Sequence, residues 1–114
     1  MFFIINESEL NTSKDRFAFY FYRSQMPFHS KMIFMCEEAE KKYQAHFWAI
    51  DADQFPKICQ QYQVDRLPTV LLFKQGSRNQ RIWSLVSTKK FNKVCELLYA
   101  PKDTSTPNGV DNDR

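Results

Sequence analysis

Short apolar runs alternate with polar stretches along the chain, and the period inside each run names its element. Phe2 to Ile5 is a four-residue apolar run, read as a short strand, and the polar Ser8–Ser13 stretch as a turn or short helix. Arg16-Phe17-Ala18-Phe19-Tyr20-Phe21-Tyr22 is apolar without alternation, the pattern of a central strand covered on both faces. After a loop containing Pro27, Met32, Ile33, Met35, Cys36, Ala39 and Tyr43 recur at helical spacing. Glu37, Glu38, Glu40, Lys41 and Lys42 face away, so a helix is expected over Ser30–Tyr43 with Ser30 as its cap.

The second half reads in the same way. His46–Ile50 is a strand running into Asp51-Ala52-Asp53, and Phe55–Tyr62 is a short helix with Pro56 tolerated in its first turn. Pro68 stands directly before Thr69-Val70-Leu71-Leu72-Phe73. Proline has no N–H to give to a ladder, so it belongs at the strand's beginning. Thr69–Lys74 and Gln80–Ser84 pair as a hairpin around Gln75-Gly76-Ser77. Phe91, Val94, Cys95, Leu97 and Leu98 mark a last helix with Lys89, Lys90 and Lys93 outward. From Pro101 no apolar period survives, so residues 101–114 are expected to be a disordered tail after one domain spanning 1–100. The order β-α-β-α-β-α-β-β-α describes an α/β fold with a central mixed sheet flanked by helices.

Composition narrows the function classes. A chain of 114 residues, 43% hydrophobic with eleven Phe, can bury a sizeable core. Two glycines leave nothing for a phosphate-cradling loop, and a net charge of +3, scattered, is too little to indicate nucleic acid. The apolar start is followed at once by Asn6, Glu7 and Glu9, which fits neither a signal peptide nor a spanning helix. Three widely spaced cysteines are no secreted disulfide framework, so a cytoplasmic location is expected.

The stretch Tyr62–Gly76, with helix end, proline turn, apolar strand and glycine turn, resembles the part of the thioredoxin family where a cis-proline flanks the redox site. The Ala49–Asp53 strand end and the Ser84–Leu98 strand-to-helix join add to the resemblance, which covers roughly residues 2–99. It implies a thioredoxin-like fold. It also implies a Trp-Cys-Gly-Pro-Cys-Lys motif after the aromatic strand, whose first thiolate attacks a disulfide and whose second cysteine resolves the mixed disulfide.

That motif is missing. The strand Phe19–Tyr22 leads into Arg23-Ser24-Gln25-Met26-Pro27-Phe28-His29-Ser30-Lys31-Met32-Ile33. Aligned back from Lys31, the cysteine positions fall on Pro27 and Ser30; aligned forward from Tyr22, they fall on Met26 and His29. The family's buried aspartate corresponds to Tyr20, and a glycine lining its peptide groove to Ser84. Cys36, Cys59 and Cys95 lie beside apolar neighbours within helices, where core packing is the plain explanation. His29 is read as a polar loop residue, since a helix N-terminus disfavours its cation and it does not face Ser30. His46 is read as structural, and the Lys89, Lys90 and Lys93 face as solvated surface. No metal ligands share a short paired spacing, and no cofactor is implied.

The expected function is a redox-inactive thioredoxin-like binding or adaptor module. Its groove would comprise Met26, Pro27, Phe28, His29, Ser30, Leu67, Pro68 and Thr69, and its partner would be a protein or extended peptide paired through backbone. The resemblance allows this, since redox-dead relatives serve as adaptors or assembly subunits. The alternative is a thiol–disulfide oxidoreductase with a degenerate active site. Neither nucleic acid nor membrane is expected as a partner.

Overall fold

Five successive residues, Phe17 to Phe21, are buried without interruption because their strand has a neighbour on each edge and helices on each face. The computed structural model describes residues 1–4, 6–83 and 87–99. The elements are β1 (Phe2–Phe3), a 3-10 turn (Glu7–Glu9), β2 (Arg16–Tyr22), α1 (His29–Tyr43), β3 (His46–Asp51), α2 (Pro56–Gln61), β4 (Thr69–Lys74), β5 (Gln80–Trp83) and α3 (Thr88–Tyr99). They form one mixed sheet in the order β1-β3-β2-β4-β5, with β1, β3 and β2 parallel and β4 and β5 antiparallel to their neighbours. The α/β fold expected from the pattern, a central mixed sheet flanked by helices, is the one observed.

The two-residue period of β2 splits its side chains between two cores. Ala18 and Tyr20 join Met32, Met35, Cys36, Ala39, Phe91, Cys95 and Leu98 beneath α1 and α3. Phe17, Phe19 and Phe21 join Trp48, Ile50, Ile58, Cys59 and Leu71 beneath α2. The second core is largely aromatic: Phe17 stacks on Phe73 with centroids 4.6 Å apart, and Phe19 meets Tyr62 edge-on at 5.1 Å. Tyr99 ties α3 to the sheet centre, its hydroxyl lying 2.9 Å from the Phe17 carbonyl oxygen and 3.0 Å from that of Phe73. One proton shared between these two carbonyls fastens the last helix across β2 and β4.

Several local expectations change. Ser30 does not cap α1: the helix starts at His29, and its N-cap position is Phe28, with φ of 67° and no side-chain hydrogen bond to the helix. An exposed Ser30 already inside the helix cannot reach back to the free amides ahead of it. The early turn forms over Glu7–Glu9 because Asn6 makes a capping box with Glu9. Glu40 does not face solvent: one carboxylate oxygen accepts from the Phe47 amide at 3.0 Å and the other pairs with the Met1 ammonium. Leu97, counted toward the last helix's apolar pattern, is 78% exposed, because the inward stripe is made by Phe91, Cys95, Leu98 and Tyr99 with Val94 partly buried beside them. Ser84 and the 101–114 tail lie outside the described residues.

Candidate functional site at the sheet end

The strand register brings the predicted groove residues to one end of the sheet. Asp51 ends β3 beside Tyr22, which ends β2. One step back, Phe21 pairs with Thr69, the first residue of β4, and Thr69 pairs with Trp83, the last of β5. The Arg23–Phe28 loop therefore leaves the sheet at the edge where the Arg66-Leu67-Pro68 turn enters it. The Leu67–Pro68 peptide bond is cis, and the Thr69 hydroxyl donates to the Arg66 carbonyl at 2.6 Å across that turn.

At the N-terminus of α1, where the resemblance calls for a thiolate, the structure places an aromatic stack. The His29 imidazole lies on Tyr22 with centroids 4.6 Å apart and planes 25° from parallel. Tyr20 continues the stack at 5.8 Å from His29 and 5.5 Å from Tyr22. Tyr20 and Tyr22 share a face because they are two apart on a strand, and α1 packs on that face. The Tyr20 hydroxyl is 2.9 Å from His29 Nδ1.

Electrostatics assign the direction of that bond. Burial pushes the Tyr20 phenol well up, with the Cys36 and Tyr22 groups adding to it, so its proton stays on. Burial also lowers His29, and the opposing pull of Asp51 is smaller. At neutral pH His29 is uncharged, and a wholly buried Tyr20 proton needs an acceptor. Tyr20 donates and Nδ1 accepts, leaving the other ring nitrogen protonated. His29 is not the loop residue read from the sequence: it is the first residue of α1 and the only hydrogen-bond partner of the Tyr20 hydroxyl among the described residues.

The remaining predicted residues differ in how much they offer to a partner. Pro68 and Thr69 are buried, Leu67 is half-buried against the α2 core, and Met26 is half-buried against the α1–α3 core. Pro27 and Ser30 are exposed, and Phe28 is 60% exposed. Trp83, absent from the predicted set, is 52% exposed at the same sheet end. Its signal was the strand's alternation, which buries Ile82 and turns the next residue the other way. The loop is fastened by Arg23, whose Nε lies 3.0 and 3.1 Å from the two carboxylate oxygens of Asp53. Beside it a cleft of about 300 Å³ is bordered by Arg23, Ala52, Pro56, Cys59 and Leu67.

Cys36, Cys59 and Cys95 are free and buried. Burial drives Cys36 well above the usual thiol range, pushes Cys95 up to about 12 and raises Cys59, so none is an available thiolate at neutral pH. Among the described residues no group of three or more His, Cys, Asp or Glu is placed to hold a metal ion. Among them, too, no helix is long and apolar enough to cross a membrane.

Comparison with known proteins agrees with the fold. A thioredoxin of Halobacterium salinarum superposes with a TM-score of 0.77 over 88% of this chain and 91% of its own, at 18% identity. The oxidised thioredoxin of Plasmodium falciparum does so with a TM-score of 0.76 over 87% and 98%, at 16% identity. These share the fold. In sequence, a thioredoxin-like protein of Synechocystis is 52% identical over 33 residues, 29% of this chain. A chloroplastic thioredoxin M3 of rice is 40% identical over 35 residues, 31% of this chain. The matched stretches span 31% and 20% of those two relatives. The thioredoxin family profile matches residues 7–96, from the 3-10 turn into the last helix, and by that match the chain belongs to the thioredoxin family.

Proposed function

We propose that this chain is a redox-inactive thioredoxin-family protein that binds an extended segment of a partner protein at the sheet end between the Arg23–Phe28 loop and the cis-Pro68 turn. The observation that carries this reading is the replacement at the start of α1. Neither register of the family motif supplies a cysteine there, and the second cysteine position of the register counted forward from Tyr22 holds His29, stacked on Tyr22 and bonded to Tyr20, while the cis-proline turn at the same sheet end is kept. A dithiol cycle needs a thiolate nucleophile and a resolving cysteine, and the three cysteines are buried thiols spread over three helices. The exposed Phe28 ring, in the same loop as the half-buried Met26, offers apolar contact of the kind that anchors a partner. Free thiols fit a reducing compartment, and we assign the protein to the cytoplasm on that ground.

The test is quantitative affinity capture from the native source with the wild-type chain and with a Met26→Asp/Phe28→Asp variant of verified fold. A partner retained by the wild type and lost by the variant supports the reading. Equal recovery by both, or recovery of nothing by either, contradicts it.

A further inference from the structure

His29 has two charge states within the ordinary pH range, and only one of them suits the bond it makes. Neutral Nδ1 accepts the Tyr20 proton across 2.9 Å. A protonated ring carries a hydrogen on Nδ1, so the phenol oxygen must become the acceptor and turn its own hydrogen away from the ring. Tyr20 is wholly buried and has no second acceptor among the described residues, so its proton then has nowhere to go. We propose that the Tyr20–His29 hydrogen bond is a pH-sensitive latch, which holds the first turn of α1 and its Arg23–Phe28 approach loop when His29 is neutral and frees them when it is protonated.

Three features make this turn dependent on the bond. Its N-cap, Phe28, has no side-chain hydrogen bond to the helix and sits in the left-handed region at φ 67°. The first turn carries no acidic residue that would balance the positive end of the helix. The turn's first backbone bond, from the Met32 amide to the Phe28 carbonyl at 2.9 Å, closes directly over His29. The groups facing the imidazole are few. β2 presents Tyr20 and Tyr22, both protonated phenols. Asp51 at the end of β3 favours the cation, though its Oδ1 already accepts from the Asp53 amide at 2.9 Å and the Gln54 amide at 3.4 Å. Arg23 on the loop is held by Asp53. Burial outweighs Asp51 and lowers the histidine, which places the switch on the acid side of neutrality.

The latch stands apart from the partner-binding reading, and its test needs no partner. Amide hydrogen exchange is followed by NMR between pH 7.5 and 5, corrected for intrinsic rates, on the wild type, Tyr20→Phe and His29→Gln, alongside the titration of the His29 ring. In the wild type the protection of the Met32 and Met26 amides falls by about tenfold as His29 protonates, while the Phe19 and Ile50 amides keep theirs. Both variants lose this pH dependence. Protection that stays constant through the ring titration overturns the latch, as does an equal fall in His29→Gln. That variant changes a half-exposed side chain, so it serves as the control even where Tyr20→Phe does not fold.

Discussion

The hydroxyl of Tyr20 lies 2.9 Å from Nδ1 of His29, joining the middle of β2 to the first residue of α1. The resemblance to thioredoxins expects a buried aspartate at the first position and, in the register counted forward from Tyr22, the second cysteine at the other. The pair here is a phenol and a neutral imidazole, able to hold a proton in place but unable to attack a disulfide. Replacing Tyr20 by Phe keeps the ring and removes the bond. We expect a loss of about 1 kcal/mol, measured as a lower chemical-denaturation midpoint with an unchanged slope.

Stability should also depend on pH in a direction set by the two histidines. Burial lowers both His29 and His46 from the unfolded value of 6.5. Below 6.5 the unfolded chain binds more protons than the folded one, so stability falls with pH until the folded histidines protonate too. Urea midpoints at pH 7.5 and 5.5 should differ in that sense. A His29→Gln/His46→Gln double variant should flatten the difference, and a wild type more stable at pH 5.5 would contradict the assignment.

Tyr99 offers a purely structural check. Its hydroxyl is placed to serve the Phe17 and Phe73 carbonyls from a buried position beneath the sheet. Tyr99→Phe leaves those acceptors to each other's company in a dry environment and should cost about 1 to 2 kcal/mol. Thermal unfolding monitored by circular dichroism reads this directly, and an unchanged midpoint would remove the tether from the account.

Much of this was legible in the sequence, for reasons that differ by residue. The unbroken run Arg16–Tyr22 identified the central strand because a strand with neighbours and helices on every side has no polar face to alternate. The proline at 68 set the start of β4 because it lacks a donor. The site was harder to read. His29 looked like a loop residue because its partner, Tyr20, is nine positions away on another element, and only packing of α1 on β2 brings them together. Ser30 looked like a cap because its residue type favours that role, yet the helix begins one residue earlier behind a left-handed Phe28. Glu40 looked solvated by period, and long-range bonds to Phe47 and Met1 drew it inward.

Thiol accessibility follows from the burial pattern. Cys36 and Cys95 are wholly buried with thiols raised by desolvation, while Cys59 borders the cleft beside Arg23. A colorimetric disulfide reagent at pH 7.5 should modify Cys59 slowly and first, and the other two only on unfolding. Rapid labelling of Cys36 in the folded chain would mean that α1 opens far more readily than its packing implies.

The central claim is that the fold of a thioredoxin persists here without the sulfur chemistry. Reduction of insulin disulfides, driven by a thioredoxin reductase and NADPH, tests it most directly. The account predicts a rate indistinguishable from the reaction lacking this chain. Turnover above that background, abolished by Cys36→Ser, would contradict it.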